Sequence, residues 1–520
     1  ASATLDLSQH TGDGGGMHRL SRCTLLAHED KTFRGAIVAS MSIPWGETKG
    51  DNAIGGYHLV WPRDLVQSAI GLLASGQTET ARAALIWLAC LQEPDGELPQ
   101  NSWIHGEAFW TGLQLDEVAA PILLAWHLRK ENALGLFDPW TVVSRAASYL
   151  ILYGPVTRQE RWEEASGYSP GTLAAIIAGL VIAAEFARAR GDENTTQFCL
   201  DYADWLSAHL EEWTVTTCGE LVPGRPRHYL RITPADCNNP HATAQPDTAV
   251  LRIANGGGEH PARNVVGGDF LSLVRLGLRD PHDPLIVDSL AVIDAVIKHD
   301  LPQGPCWQRY NHDGYGQHAD GAAFDGTGVG GAWPLLTGER GHYELEAGRD
   351  ALPFIKTLEH FSNAGGMLPE QVWFGDDLPG TKFKRGLPTG SAMPLCWAHA
   401  EYLSLVRSRA DGVSFDRVGP AHQRYVEQRT GSKFEMWTCA HRCGRIPAGK
   451  TLRVITSSPA VIRWRGTRGA GGEVSASETA VGVWFADLPT STLSAGTEIE
   501  FALQCAKKED AETHRVAIIS

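Results

Sequence analysis

Apolar residues recur at helical spacing along most of the chain up to about residue 410, in segments parted by loops rich in Gly, Pro, Asp and Trp. The spacing predicts helices over residues 66–73, 81–91, 119–128, 142–152, 171–189, 198–209, 270–278, 286–297, 343–361 and 393–406. Ser169 and Pro170 stand where the helix at Gly171 begins, offering a capping hydroxyl and a first-turn proline whose missing N–H does no harm. Ala174, Ile176, Leu180, Val181 and Ala184 make that helix apolar nearly all round, which predicts an inner, buried element.

Beyond residue 415 the period shortens to two, so that Ile499, Phe501 and Leu503 fall on one face of a strand. Residues 451–456, 461–464 and 481–486 read as further strands, separated by turn-forming clusters at the spacing of a sandwich. The expected organisation is an N-terminal connecting segment over 1–40, a helical domain over 41–414 and a C-terminal β-sandwich over 415–520. Helices of similar length joined by long loops suit a toroid of helical hairpins, and the sandwich is expected to cover a helical face rather than to bind polysaccharide.

A hydrophobic share of 43% with 20% charged residues is the balance of a folded chain. Lys and Arg number 45 against 60 Asp and Glu, a net charge of −15, which is the wrong sign for neutralising phosphates or an acidic membrane surface. Neither nucleic acid nor membrane is expected as a partner. The strongest apolar run, 173–184, falls short of the roughly 20 residues that span a bilayer. The chain starts Ala1-Ser2-Ala3 without Met or the regions of a signal peptide, so it reads as a processed chain whose address has been removed. Ten cysteines form no dense framework, and Cys439, His441 and Cys443 lack a second pair at zinc spacing, so no metal is expected.

Of the 17 Trp residues, several sit in loops beside polar groups: Trp61 near Arg63 and Asp64, Trp162 before Glu163 and Glu164, Trp373 after Glu370 and Gln371. A flat indole beside fork-shaped donors and acceptors suits a sugar ring, with its apolar faces and hydroxyl rim. For any single one of these indoles a core position is the better reading; the repeated pairing is what points to carbohydrate. Glycoside cleavage needs one carboxylic acid to protonate the leaving oxygen and a second carboxylate to activate water or attack the sugar. The adjacent Glu163 and Glu164 repel each other next to the Trp162 indole, which favours keeping one of them protonated and makes Glu163 the candidate acid. Glu370, in the glycine-rich run that starts at Gly365 and Gly366 with Pro369 just before it, is the candidate base. On these grounds alone a solvated surface glutamate accounts for either position.

Four segments add a resemblance. His58-Leu59-Val60-Trp61-Pro62-Arg63-Asp64-Leu65, the stretch from Trp110 to Glu117, Trp162-Glu163-Glu164 and Leu368-Pro369-Glu370-Gln371 occur in the order seen in glucoamylases. From about residue 20 to about 410 the chain resembles the bacterial glucoamylases and glucodextranases of glycoside hydrolase family 15. The resemblance implies a mainly α fold, an (α/α)6 barrel followed by the small β-sandwich. It also implies an inverting, exo-acting hydrolase that releases β-D-glucose from non-reducing ends of α-glucans without metal or organic cofactor. On this likeness α-1,4 linkages are favoured and α-1,6 linkages come second, while a carbohydrate-binding scaffold is the non-enzymatic alternative. An inverting pair calls for roughly 6.5–9.5 Å between carboxyl groups, room enough for a water.

Carried over residue by residue, Glu163 matches the general acid, Glu370 the general base, and Glu164 the carboxylate that helps bind sugar beyond the scissile bond. Arg63 and Asp64 match the pair gripping the terminal glucose, and Tyr57, Trp61, Trp110, Trp162 and Trp397 match aromatic positions around it, with packing nearly as good a role for Trp61 and Trp397. Gln371 follows the base as in the family, and Arg309-Tyr310-Asn311 looks like a family loop. Many relatives have Arg where this chain has Gly331, a loss near the cleavage point for which Arg309 is the candidate compensation. The charged run from Glu339 to Glu344 is expected to brace a loop rather than touch sugar. Related enzymes carry a β-sandwich before the helical domain, so either an associated N-terminal chain cut from a longer precursor or a shortened chain is expected, in a secreted or periplasmic bacterial setting.

Overall fold

Several helices of the computed structural model open on a proline in the first turn, Pro62, Pro170, Pro284 and Pro334 among them, where a missing N–H leaves no bond unmade. The structure describes residues 5–46, 56–467, 469–505, 508–509 and 512–520; residues 1–4, on which the expectation of a processed start rests, lie outside them. In chain order the helices are α1 (Gly16–His28), α2 (Pro62–Ala74), α3 (Thr78–Leu91), α4 (Leu115–Lys130), α5 (Trp140–Tyr153), α6 (Pro170–Arg188), α7 (Glu193–Thr214), α8 (Leu271–Arg275), α9 (Pro284–Val296), α10 (Pro334–Glu346), α11 (Leu352–Phe361) and α12 (Cys396–Asp411).

Each even-numbered helix packs against the next, and α12 packs back onto α2, so these helices form a closed inner ring. The odd-numbered helices lie outside it, giving the (α/α)6 barrel. The closure is tight: a methyl group on Gly71 of α2 would stand 2.8 Å from the Cα of Ala400 on α12. α6 is buried almost throughout, and Ser169 Oγ accepts a hydrogen bond from Thr172 N at 3.4 Å to cap it. Its length and composition would suit a membrane span, yet the barrel encloses it, which is the usual fate of an all-round apolar helix in a packed core.

Three elements differ from the pattern reading. α1 falls inside the segment expected to be a connector; His18, Arg19 and Arg22 blur its apolar stripe, and it packs on α12 as an outer helix. The single helix expected over 343–361 is two, α10 and α11. Gly348 breaks it in the left-handed region at φ +78, and Asp350 then accepts from Leu352 N at 3.0 Å to start the second. The helix expected over 270–278 is only α8, stopped by Gly277 at φ +83.

The helical body also runs past Ser414. Phe415 is fully buried and stacks on His127 of α4 at 5.2 Å between centroids. Asp416 pairs with Arg275 of α8 at 2.6 Å and His127 at 3.5 Å. A short helix, Gly419–His422, follows, and the sandwich starts at Phe434–Trp437. Its first sheet orders Phe434–Trp437, Thr451–Thr456, Trp484–Leu488 and Ser477–Glu478. The second orders Arg445–Pro447, His514–Ile519, Glu498–Cys505, Ala460–Gly466 and Gly471–Ser475, with Ile499, Phe501 and Leu503 buried between the sheets as their alternation predicts. The first sheet lies on α7. Trp205 Nε1 donates to Glu435 at 2.6 Å, and Arg453 pairs with Asp201 at 2.9 Å while lying 3.9 Å from the Phe434 ring centroid.

Candidate active site

The N-terminal ends of the inner helices converge on a cavity of about 290 Å³. Arg63 and Asp64 stand in the first turn of α2, Asp116 and Glu117 in that of α4, and Trp397 in that of α12; Trp333 immediately precedes α10. The positive ends of helix dipoles favour carboxylates there. Tyr57, Trp61, Arg63, Asp64, Trp110, Trp162, Glu163, Glu164, Arg309, Glu370 and Trp397 all line this cavity, so the structure brings every candidate but one into one place. The exception is Gln371, which is fully buried behind the wall, accepting from Gly331 N at 2.9 Å and donating to Tyr315 O at 3.1 Å. Its side chain occupies the space next to Gly331: a Cβ there would meet Gln371 Oε1 at 2.7 Å. Trp373 also faces away, its indole donating to Asp376 O at 2.8 Å.

The loop between α5 and α6 carries the paired glutamates. Glu163 N donates to Glu160 O at 2.8 Å, closing a turn in which Glu163 adopts φ +67, a left-handed conformation uncommon for a residue with a side chain. Glu163 and Glu164, adjacent in this turn, take different partners. Glu160 accepts from the buried Arg231 at 2.6 Å. Glu164 accepts from Arg231 at 2.8 Å, Arg309 at 3.0 Å and Asn255 at 3.2 Å, and also from the Tyr310 hydroxyl. Glu163 accepts from Gln100 at 2.7 Å and from Arg63 at 3.4 Å.

These partners pull the neighbours' acidities apart. Burial raises both; for Glu164 the positive charges of Arg309 and Arg231 outweigh it and hold the carboxyl below the usual range, so this group is ionised. Glu163 shares its one guanidinium with Asp64, at 3.6 Å, and Asp116, at 3.2 Å from Arg63. Burial therefore wins, and Glu163 stays above the ordinary carboxylate value. Two adjacent carboxyls whose acidities are pulled in opposite directions provide the separation that acid catalysis draws on.

Glu370 lies on the loop between α11 and α12, pinned through its backbone N to Ala392 O at 2.8 Å and by the bridge between Val372 and Ala332. Its side chain is not solvated. Burial pushes it up to about 7, opposed by the Tyr57 hydroxyl, by the charge of Arg309 and by Ala392 N. Tyr315, unmarked in the sequence, stands 2.9 Å from the Tyr57 hydroxyl. Since the single Tyr57 proton goes to Glu370, Tyr315 is the donor in that bond. Gln100, Asn255, Arg231, Tyr310 and Trp333 complete the surroundings of the carboxylates; apart from Tyr310, which falls in the Arg309-Tyr310-Asn311 segment, and Trp333, two residues after Gly331, no local pattern flags them.

The model of the family described as glycosyl hydrolases family 15 matches residues 87–407. The chain belongs to this family. It is 44% identical over 420 residues to a glucoamylase of Clostridium sp. (strain G0005), a match covering 81% of this chain and 57% of that protein. It is also similar to the crystal structure of a bacterial glucoamylase complexed with acarbose, at 43% identity and a TM-score of 0.72, over 80% of this chain and 58% of that one. The chain thus spans less than two thirds of these relatives' length. The Hormoconis resinae glucoamylase shares the family fold at 14% identity, with a TM-score of 0.53 over 97% of this chain and 95% of its own. Family membership accounts for the order of the four segments, and the Gly331 position is filled in this member by Gln371, with the Arg309 guanidinium in the cavity wall.

Proposed function

We propose that the chain is an exo-acting, inverting α-glucoside hydrolase that releases β-D-glucose from non-reducing ends of α-glucans, with α-1,4 linkages preferred. The observation that carries this reading is that Glu163 and Glu370, from distant loops, line one glucose-scale cavity, each held by a neutral donor, Gln100 at 2.7 Å for Glu163 and the Tyr57 hydroxyl at 2.5 Å for Glu370. Glu163 delivers its proton to the glycosidic oxygen; Glu370, as a carboxylate, takes a proton from the water that attacks the anomeric carbon from the other face. Arg63 and Asp64 close the end of the cavity, offering donors and an acceptor to the hydroxyls of a terminal ring. Glu164, Arg309 and Asn255 supply fixed charges and amide groups for the sugar beyond the scissile bond. The 44% identical glucoamylase supports the α-1,4 preference.

Anomer-resolved NMR of fresh digests tests this on maltose, panose, isomaltose, dextran and trehalose. The expected result is β-glucose as the first product, faster from maltose than from isomaltose. Faster cleavage of isomaltose would reassign the linkage; α-glucose as the first product would overturn the mechanism, and no glucose from any substrate would overturn the activity.

A further inference from the structure

Arg161 stands immediately before Trp162 in the loop that carries the two glutamates and lines the same cavity, and the terminal nitrogens of its guanidinium are engaged by protein carboxylates. Its two terminal nitrogens bind both oxygens of Glu339, at 2.7 and 3.1 Å, and one of them pairs with Asp269 at 2.7 Å. Glu339 belongs to inner helix α10, and Asp269 to the turn Gly268–Phe270 that leads into inner helix α8. The loop joining α5 to α6 is thereby tied to two other members of the inner ring. The same guanidinium carbon lies 4.5 Å from the Trp162 ring centroid, whose other neighbours include Arg309 at 5.2 Å and the Trp333 ring at 5.4 Å. The Trp162 ring is thereby packed against a bidentate, largely buried ion pair. Glu163 follows Trp162 directly in its left-handed turn, a conformation that persists only where the surroundings over-determine it. Gln100 and Arg63 hold the carboxyl end of Glu163, and Arg161, with the Trp333 ring against Trp162, ties the base of the turn on the α8 and α10 side.

We propose that Arg161, locked by Glu339 and Asp269, is the positioning residue of the general acid: it sets where Glu163 stands relative to the glycosidic oxygen without touching the reacting atoms. This rests on the assignment of Glu163 as the acid. It also gives the Glu339 segment its brace a defined object.

The test exploits the leaving group. Maltose must be protonated as it departs, whereas α-D-glucosyl fluoride expels fluoride with little help, so a displaced acid slows the first substrate and spares the second. For Arg161→Ala the expected outcome is a fall of about 100-fold in kcat on maltose, the scale of an ångström-sized misplacement, with kcat on the fluoride within about 3-fold of the parent and KM little changed. Glu339→Gln, which keeps the shape and one hydrogen bond of its partner, is the second variant should Arg161→Ala not fold, with the same selectivity at smaller amplitude. Arg161→Lys restores charge without the fork and should recover only part of the loss. Glu163→Gln serves as the reference. If it shows the selective loss on maltose and the Arg161 and Glu339 variants lose both substrates equally, or neither, the positioning role is overturned; if Glu163→Gln itself is not selective, the acid assignment fails instead.

Discussion

The Tyr57 hydroxyl donates to Glu370 Oε1 at 2.5 Å, and burial together with the facing carboxylate keeps that phenol protonated well beyond its ordinary range. A donor aimed at the proposed base stabilises its ionised form, the form that could draw a proton from water. Tyr57→Phe removes this donor, so the Glu370 carboxyl rises further, and the acidic limb of kcat/KM for maltose should move to higher pH. Profiles of both proteins on one substrate check this; a limb that stays in place or moves down contradicts the role given to Tyr57.

Glu163→Gln and Glu370→Gln should each lower glucose release from maltose by about 10³-fold or more, towards the upper range of what acid or base catalysis contributes. Circular dichroism and unfolding midpoints should remain those of a folded protein. Near-normal hydrolysis by either variant rejects the pair.

The same Glu370 carries a stability consequence. Its carboxyl is pushed up by burial to about 7 in the folded protein from the ordinary 4.5, so ionisation is harder after folding than before. Below the lower value both states are protonated and nothing is lost; as pH rises towards the upper value the folded state is penalised, by up to about 3 kcal/mol once both are passed. Glu370→Gln should therefore melt higher than the parent at pH 8 and equal to it at pH 4. A variant that melts lower at pH 8 would show the carboxylate to be better satisfied than its partners indicate.

Arg453 ties the sandwich to the barrel through Asp201 of α7 at 2.9 Å, while Asp487 on the neighbouring strand of its own sheet holds the guanidinium at 2.7 Å and the Phe485 ring centroid lies 4.4 Å away. Arg453→Ala leaves Asp201 buried without its counter-ion and should cost about 3 kcal/mol or more. Arg453→Met, which keeps most of the packing but not the charge, should recover part of this. Chemical denaturation of the three proteins distinguishes them; equal stability would mean that the interface rests on other contacts.

What could be read from the chain alone follows from the range of each signal. Arg63, Asp64, Glu163, Glu164 and Glu370 lie in runs where neighbouring residues repeat a recognisable order, and α6 declares itself through twelve consecutive positions of apolar character, 173–184. Gln100 gives no such sign: its importance arises only because it meets Glu163, 63 positions away. Tyr315, Asn255 and Arg231 are single polar residues in ordinary loops, and folding alone makes them neighbours of the site. The boundary near Ser414 shifted for the same reason. Phe415 and Asp416 look like the start of a linker until His127 and Arg275 come into reach.

The seam where α12 lies against α2 has a developmental consequence. Trp397, on the last helix to join the ring, faces Arg63 on the first inner one, with the guanidinium 5.3 Å from the indole centroid. No partial product of synthesis lacking that helix holds both halves of the sugar's receptacle. The proposed receptacle is therefore whole only once the circle is closed, because the last helix supplies one of its walls.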